Sequence, residues 1–284
     1  MFASRRRKIC ALASLFVLAL GLWGFWLEPA SLYNEHHPIH LPNWPEPCDG
    51  LRIAVLADLH VGSPFNGLDK LDRIVDLTLN ARPDLILLAG DYVIHGVIGG
   101  AKVAPEAIAQ GLRRLAAPLG VFAVLGNHDW WEDGPRIRRA LESVGIPVLE
   151  DSSRLIKSNA CEFQLAGLSD YWEGPRHYRA ALEHIPLRVA TIAFTHNPDT
   201  FPEISRPVDL MIAAHTHGGQ VYLPGLGRLV VPSKYGQRYA IGHVVENGRH
   251  LFVSAGLGTS IIPVRFLVPP EISLLTIRAL PRKS

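Results

Sequence analysis

Seven side chains of metal-binding type stand where apolar runs stop. The runs RIAVLADLH, DLILLAGDYV, VFAVLGNHDWW, VATIAFTHNPD and DLMIAAHTHGG deliver, in turn, Asp58 and His60, then Asp91, then Asn127 beside His128, then His196, then His215 and His217. Taken singly, each is ordinary. A lone Asp after a strand usually caps a helix or turns the chain, Asn-His makes a turn unaided, and two histidines one residue apart can be a packed pair. Independent accidents at all five run ends are improbable. Seven mixed nitrogen and oxygen donors are too many for one first-row ion and suit two, and Mn, Zn, Fe and Ni all tolerate the mixture. Two divalent ions ~3.5–4 Å apart clamp a phosphoryl group, acidify water and stabilise charge on the transferring group. The two carboxylates only partly neutralise such a pair, so the surplus favours an anionic ester over a neutral amide.

The elements that must position these groups follow from the runs themselves. Continuous apolar runs fit strands buried on both faces. Helical spacing follows the first, with Leu68, Leu71, Ile74, Val75 and Leu79, Asn66 as N-cap and Pro83 past the end. PEAIAQGLRRLAAPLG, from Pro105 to Gly120, and GPRIRRALESVG, ending at Gly145, read as further helices. Alternating strands and helices imply parallel strands under helical layers, with the site at the carboxyl ends of the strands. By this reading all five ligand groups gather at one edge of one sheet. Side chains at i and i+2 of an extended segment point the same way, so His215 and His217, ~7 Å apart at Cα, each serve a different ion. Gly218 and Gly219 then turn the chain away.

The chain has 284 residues, of which 48% are hydrophobic and 19% charged, with a net charge of +2. This composition is globular. Four positive charges, Arg5, Arg6, Arg7 and Lys8, lie in residues 1–8, so the remainder is near neutral and no duplex nucleic-acid partner is expected. Residues 9–27 carry no charge and as a helix span ~28 Å, close to a hydrocarbon core. Trp23 and Trp26 fall where an aromatic belt belongs. Basic residues before this segment, and acidic ones without Lys or Arg after it, put the N-terminus in the cytoplasm and the body outside a cell membrane crossed once. A cleaved Sec signal is the alternative, and the paired arginines also permit twin-arginine export; the bulky WGFWL end argues against cleavage. Residues 28–50 hold five prolines and read as an extended tether before a domain at 51–284. Cys48 and Cys161 carry no spacing pattern and are read as able to pair only in an oxidising compartment.

D-x-H at Asp58 and His60, G-D at Gly90 and Asp91, G-N-H-D from Gly126 to Asp129, a later His196 and H-x-H at His215 and His217 occur in this order. The set resembles the calcineurin-like metallophosphoesterase superfamily, over residues 52 to 220. The tail VSAGLGTSIIPVRFLVPPEISLLTI looks like its membrane-associated bacterial branch. One departure is Ala214, where the family usually has Gly; a small side chain implies slight backbone adjustment and no lost ligand. The resemblance implies an α/β fold, a four-layer α/β/β/α sandwich of two mixed sheets, here with an N-terminal membrane anchor helix. It implies that Asp58, His60 and His217 bind one metal, that Asn127, His196 and His215 bind a second, and that Asp91 bridges them. It further implies that His128 contacts the phosphate, that Asp129 orients His128, and that water activated between the metals attacks phosphorus without a covalent enzyme intermediate.

The substrate is less legible. Tyr92, Trp130, Trp131 and Arg265 are candidate substrate contacts, with packing and a structural ion pair as the alternatives for them. An anchored site favours a membrane-associated phosphorylated lipid. A broad extracytoplasmic phosphodiesterase on soluble esters is the alternative, and a UDP-diacylglucosamine-type pyrophosphohydrolase another. A metal-binding scaffold without catalysis is a further reading, opposed by His128, which metal binding does not need.

Overall fold

The structure, a computed structural model, describes residues 2–280. Met1 of the basic segment and residues 281–284 of the expected domain lie outside the described residues. The N-terminal helix α1 (Phe2–Leu22) runs through a π-turn (Trp23–Leu27) into a short helix α2 (Glu28–Ala30). Within it Arg5–Ala30 is long and apolar enough to cross a membrane, and its large side chains are almost wholly exposed.

Two mixed sheets follow. In the first, β1 (Tyr33–Leu41) lies beside β13 (Glu271–Ala279), then β2 (Leu51–Leu56), β3 (Leu85–Ala89) and β4 (Val121–Val124). Strands β2, β3 and β4 are parallel, and β13 runs against β2. In the second sheet the order is β11 (Gly242–Glu246), β12 (Arg249–Val253), β8 (Leu210–Ala213), β7 (Thr191–Phe194), β6 (Cys161–Gly167) and β5 (Ser152–Ser158). Its four central strands are parallel and both edge strands antiparallel. A two-residue ribbon, β9 (Tyr222–Leu223) with β10 (Gly227–Arg228), stands apart.

Side-chain alternation stacks the sheets. Ile53 and Val55 of β2, Leu85 and Leu87 of β3, Ile192 and Phe194 of β7, Leu210 and Ile212 of β8, and Phe252 of β12 meet in the layer between them. The opposite set of the first sheet, Ala54, Leu56, Ile86 and Leu88, packs under α3 (Leu68–Asn80), α4 (Pro105–Leu112) and α5 (Asn127–Ser143). That of the second, with Met211, Ala213, Leu251 and Val253, packs under α6 (Tyr178–Leu182) and α7 (Thr200–Glu203). The result is a four-layer α/β/β/α sandwich, and burial on both faces explains why the strands read as unbroken apolar runs. Each fully buried aliphatic or Phe side chain contributes about 1.5–3 kcal/mol over exposure, so these three layers carry the frame.

The single-sheet expectation is corrected: Asp58, Asp91 and Asn127 follow strands of the first sheet, and His196, His215 and His217 follow strands of the second. The helices differ at their ends. Gly67, not Asn66, caps α3, because the Asn66 amide turns inward to donate to Leu59 O. Helix α4 stops at Leu112, well short of Gly120; α5 begins at Asn127 but breaks at Asp133, and the part beyond the break is the expected helix ending before Gly145.

The tether is also corrected. Residues 33–41 are an edge strand in parallel register with β13, from Tyr33 opposite Glu271 to Leu41 opposite Ala279. Ile39, Leu41 and Trp44 are buried in the inter-sheet layer, which outweighs the prolines, and Pro38 is tolerated because an edge strand has an unpaired side. Cys48 and Cys161 form a disulfide, Cα to Cα 4.7 Å. It joins the two sheets at the N-terminal ends of β2 and β6, the pole opposite the ligand-bearing strand ends.

Candidate metal centre

The ligands stand on loops pinned to one another by backbone. Asp58 N donates to Gly90 O, His60 N to Asp91 O, and Ala214 N to His196 O, at 2.8–3.0 Å. Asp58, His60, Asp91, His215 and His217 all have left-handed backbone, with φ between 39° and 69°. Such residues are uncommon outside glycine and each stores about 1–3 kcal/mol, held only where the surroundings over-determine them. The extended geometry expected for His215 and His217 is therefore replaced by a tight turn: β8 ends at Ala213, and His217–Gly219 is a 3-10 turn. Ala214 sits in the inter-sheet layer with no exposure. The glycines before Asp91 and Asn127 are obligatory. A Cβ on Gly126 would stand 2.2 Å from Asp91 Oδ1, and one on Gly90, at φ +88°, would stand 2.6 Å from Gly126 N.

Two triads, Asp58–His60–His217 and Asp91–His196–His215, share members with a third, His60–Asp91–His128, and in each the ligand atoms lie within 4.8 Å of one another. Asp91 Oδ2 lies between the first two, 3.5 Å from His60 Nε2 and 3.2 Å from His196 Nε2. His60 Nε2 is 3.1 Å from His217 Nε2, and His215 Nδ1 is 3.2 Å from His196 Nε2. The second nitrogens of His60 and His196 face carbonyls, Val93 O at 3.1 Å and Ala89 O at 2.8 Å. A carbonyl only accepts, so it fixes the proton on Nδ1 and aims Nε2 inward, as in metal-binding histidines.

The donor set fits cations. Asp58 Oδ1 and both amide atoms of Asn127 are buried with no hydrogen-bond partner among the described residues, a condition buried oxygens rarely keep. Burial pushes Asp58 up to about 7 and His60 down to about 3, and it holds His215 and His217 well below the usual imidazole range. Three of the four ligand imidazoles are thus neutral, the form that binds metal. Burial opposes charge on His196, but Asp91 beside it prevails and lifts it to about 10, while Asp91 itself is held well below the usual carboxylate range.

Comparison with known proteins agrees with this geometry. Residues 51–219 match the model of the calcineurin-like phosphoesterase family. The chain belongs to the calcineurin-like phosphoesterases. The chain is 32% identical to the phosphodiesterase YaeI of Escherichia coli, over 96% of this chain and 98% of that one. It is 31% identical to the uncharacterized metallophosphoesterase YkuE of Bacillus subtilis, over 95% and 94%. It is 26% identical to the UDP-2,3-diacylglucosamine pyrophosphatase LpxG of Chlamydia trachomatis, over 89% and 92%. This phosphoesterase is a metal-dependent hydrolase.

Three expected roles are corrected. Asp129 does not touch the His128 ring. Its carboxylate accepts from Asp91 N at 2.8 Å, Gly126 N at 2.9 Å and Tyr92 N at 2.9 Å, so it holds the loops that carry Asp91 and Asn127. Tyr92 is buried under the loop, and its hydroxyl lies 2.9 Å from Val124 O and 3.2 Å from Leu88 O. Arg265 has no exposure, and its guanidinium donates to Ala255, Gly258 and Val268 carbonyls. Neither side chain can reach a substrate.

Of the phosphoesterase's lip, sequence reasoning named Trp131 and missed Trp172, His95 and Glu173. Trp131 and Trp172, each 42% exposed, lie 6.5 Å apart ring to ring. Trp131 packs on His128 at 4.9 Å and Trp172 on His215 at 4.4 Å. His95 completes the edge beside Trp131, and Glu173 accepts from Trp131 Nε1. The signal was present in FQLAGLSDYW, a sixth apolar run that ends in polar Ser169 and Asp170 just before Trp172.

Proposed function

We propose that this chain hydrolyses a phosphodiester or diphosphate bond of a membrane-associated phosphorylated lipid, with two divalent cations in the Asp91-centred cluster. Asp58, His60 and His217 would hold one ion, Asn127, His196 and His215 the other, with Asp91 between them. The observation that carries this reading is the place of Asp91 Oδ2, 3.5 Å from His60 of one triad and 3.2 Å from His196 of the other. When bound, the cations supply Lewis acidity and an acidified water. Water oxygen forms a bond to phosphorus, the bond from phosphorus to the leaving oxygen breaks, and that oxygen takes up a proton.

His128 is the chain's own contribution to that step. Its backbone N donates to Asp91 Oδ1 at 2.9 Å, which aims the ring, and Nε2 stands 4.0 Å from Asp91 Oδ2. Nδ1 is buried without a protein partner among the described residues, leaving the imidazole available to the phosphate or the leaving oxygen. Trp131 and Trp172 offer aromatic faces at the entrance and exclude water from one side. The disulfide supports a body outside the cytoplasm, and the apolar helix supports an anchor with its basic end inside. The phosphodiesterase and diacylglucosamine pyrophosphatase relatives support the two bond types.

The test is turnover of bis(p-nitrophenyl) phosphate by metal-reconstituted full chain, with metal content measured in parallel. His128→Ala should keep both ions and lose activity by about 10²–10⁴-fold. Asp91→Asn should lose metal and activity together. A fully active His128→Ala enzyme refutes the assignment.

A further inference from the structure

Two loops leave the metal centre with aliphatic side chains turned to solvent. One follows His217 and carries Leu226, Leu229 and Val230, each more than 60% exposed, around the β9–β10 ribbon. The other runs through Gly258, where a Cβ would stand 2.7 Å from Leu59 O and 2.8 Å from Asp58 O, and carries Ile261 and Ile262. The loops are joined: the Gln220 side chain accepts from Ser260 N at 2.6 Å and donates to Ile262 O at 3.1 Å, and Phe266 N donates to Gln220 O. Ile98 joins them through its N–H to Ile261 O.

The same loops receive the end of the apolar helix. Arg265 N donates to Gly24 O at 2.9 Å, and the Glu28 carboxylate accepts from Leu267 N and Val268 N. Trp26 packs on Phe65 at 5.3 Å. The exposed aliphatics are therefore continuous with the helix rather than scattered. Charge singles out one kind of partner. From Leu210 to Pro270 the only acidic residue is Glu246, which pairs with Arg238 at the end of β11, while Arg228 and Lys234 lie in the first loop region. An apolar surface edged by Arg228 and Lys234 suits an anionic lipid interface.

We propose that these loops form a membrane-contact surface: Leu226, Leu229, Val230, Ile261 and Ile262 enter the interfacial layer of the bilayer that receives the helix, and the metal centre opens beside the lipid headgroups. This rests on the phosphorylated-lipid reading above and deepens it. The helix tethers the domain, and the loops set its orientation.

The experiment uses the full chain in vesicles of phosphatidylcholine with a minority of phosphatidylglycerol. In a Cys10→Ser background, which removes the exposed free thiol, a fluorophore is placed through Leu229→Cys, Ile262→Cys or Val245→Cys. Val245 is the control, since it is exposed on β11 opposite His250, at the pole away from the ligands. Spin-labelled lipid should quench positions 229 and 262 and spare 245. Equal quenching at all three, or none at 229 and 262, overturns the surface. In a second arm, Leu226→Ser with Leu229→Ser and Val230→Ser should leave bis(p-nitrophenyl) phosphate turnover unchanged. It should lower turnover of a vesicle-embedded dialkylglycerol p-nitrophenyl phosphodiester by about tenfold or more. Unchanged turnover of the embedded substrate also overturns the surface. Failure of wild type on the soluble ester would instead strike the phosphoesterase reading, and quenching would still decide the docking.

Discussion

Asp129→Asn separates two roles for the one carboxylate. If Asp129 oriented His128, the substitution would act on turnover alone. The structure instead puts Asp91 N and Gly126 N on one oxygen and Tyr92 N on the other. An Asn side chain keeps one acceptor and turns an NH2 toward the remaining buried N–H. Losing an acceptor for a buried N–H costs about 1–3 kcal/mol, and weakening the other bonds from charged to neutral costs about 1 kcal/mol more. Some of this is returned, because burial, with Asp91 adding to it, opposes charge on the Asp129 carboxyl, and a neutral amide is easier to bury. The net is a destabilisation of roughly 2–3 kcal/mol, or a Tm lower by roughly 5–10 °C for a domain of this size. Asp91 loses its backbone clamp in the same stroke, so metal affinity should fall with stability. Thermal melts in chelator, metal titration and turnover of bis(p-nitrophenyl) phosphate together decide. An unchanged Tm and metal affinity with a large loss of turnover would refute the reasoning.

Three further perturbations have definite outcomes. The Cys48–Cys161 disulfide closes a loop of 113 residues, so Cys48→Ser with Cys161→Ser should remove about 4–5 kcal/mol of stability; a calorimetric Tm within a few degrees of wild type would contradict this, and turnover at low temperature should survive because the bond lies at the far pole. Lys70 is buried, donates to Pro29 O at 2.9 Å, and is pulled down to about 7 by burial. Between that value and the ordinary lysine value the unfolded chain holds a proton that the folded chain lacks, so stability rises with pH by roughly 1.4 kcal/mol per unit and is flat below pH 7. Because His196 and Asp129 titrate in the opposite sense in both proteins, the test is the difference: urea melts at pH 7 and pH 9 should show a change in stability roughly 2–3 kcal/mol more positive in wild type than in Lys70→Met. Trp172→Ala should lower kcat/KM by about two- to tenfold on esters with a bulky apolar group and far less on a methyl ester; equal losses on both would assign Trp172 to packing alone.

What the sequence made legible was whatever repeats or stays local. Five apolar runs ending in donors are visible because strands buried on both faces cannot hide among polar residues, and the glycines before Asp91 and Asn127 are visible because nothing else fits. The tether was misread because composition counts prolines, while Ile39, Leu41 and Trp44, buried in the inter-sheet layer, decide the packing. The turn at His215 and His217 was misread because a left-handed histidine has no compositional mark. Trp172 escaped because its contact with His215 spans 43 positions and depends on two sheets being stacked.

The two misassigned charges share a deeper reason, and it explains how the strained loops persist. A buried Arg or Asp near a site reads as a group for substrate, because a sequence displays the charge and hides the backbone that consumes it. Arg265 spends its donors on the carbonyls of Ala255, Gly258 and Val268, and Gly258 N in turn donates to Asp58 O at 2.7 Å. Asp129 spends its acceptors on the amides of Asp91, Tyr92 and Gly126. One buried cation thus gathers carbonyls on the Asp58 side of the cluster, and one buried anion gathers amides on the Asp91 side. Five left-handed ligands store about 1–3 kcal/mol each, more than loop contacts of ordinary strength would hold. Charge-assisted bonds to backbone are about twice as strong as neutral ones and, unlike side-chain pairs, fix φ and ψ directly. Neither side chain faces the cluster of candidate ligands; both hold the backbone that sets Asp58 and Asp91 beside the histidines.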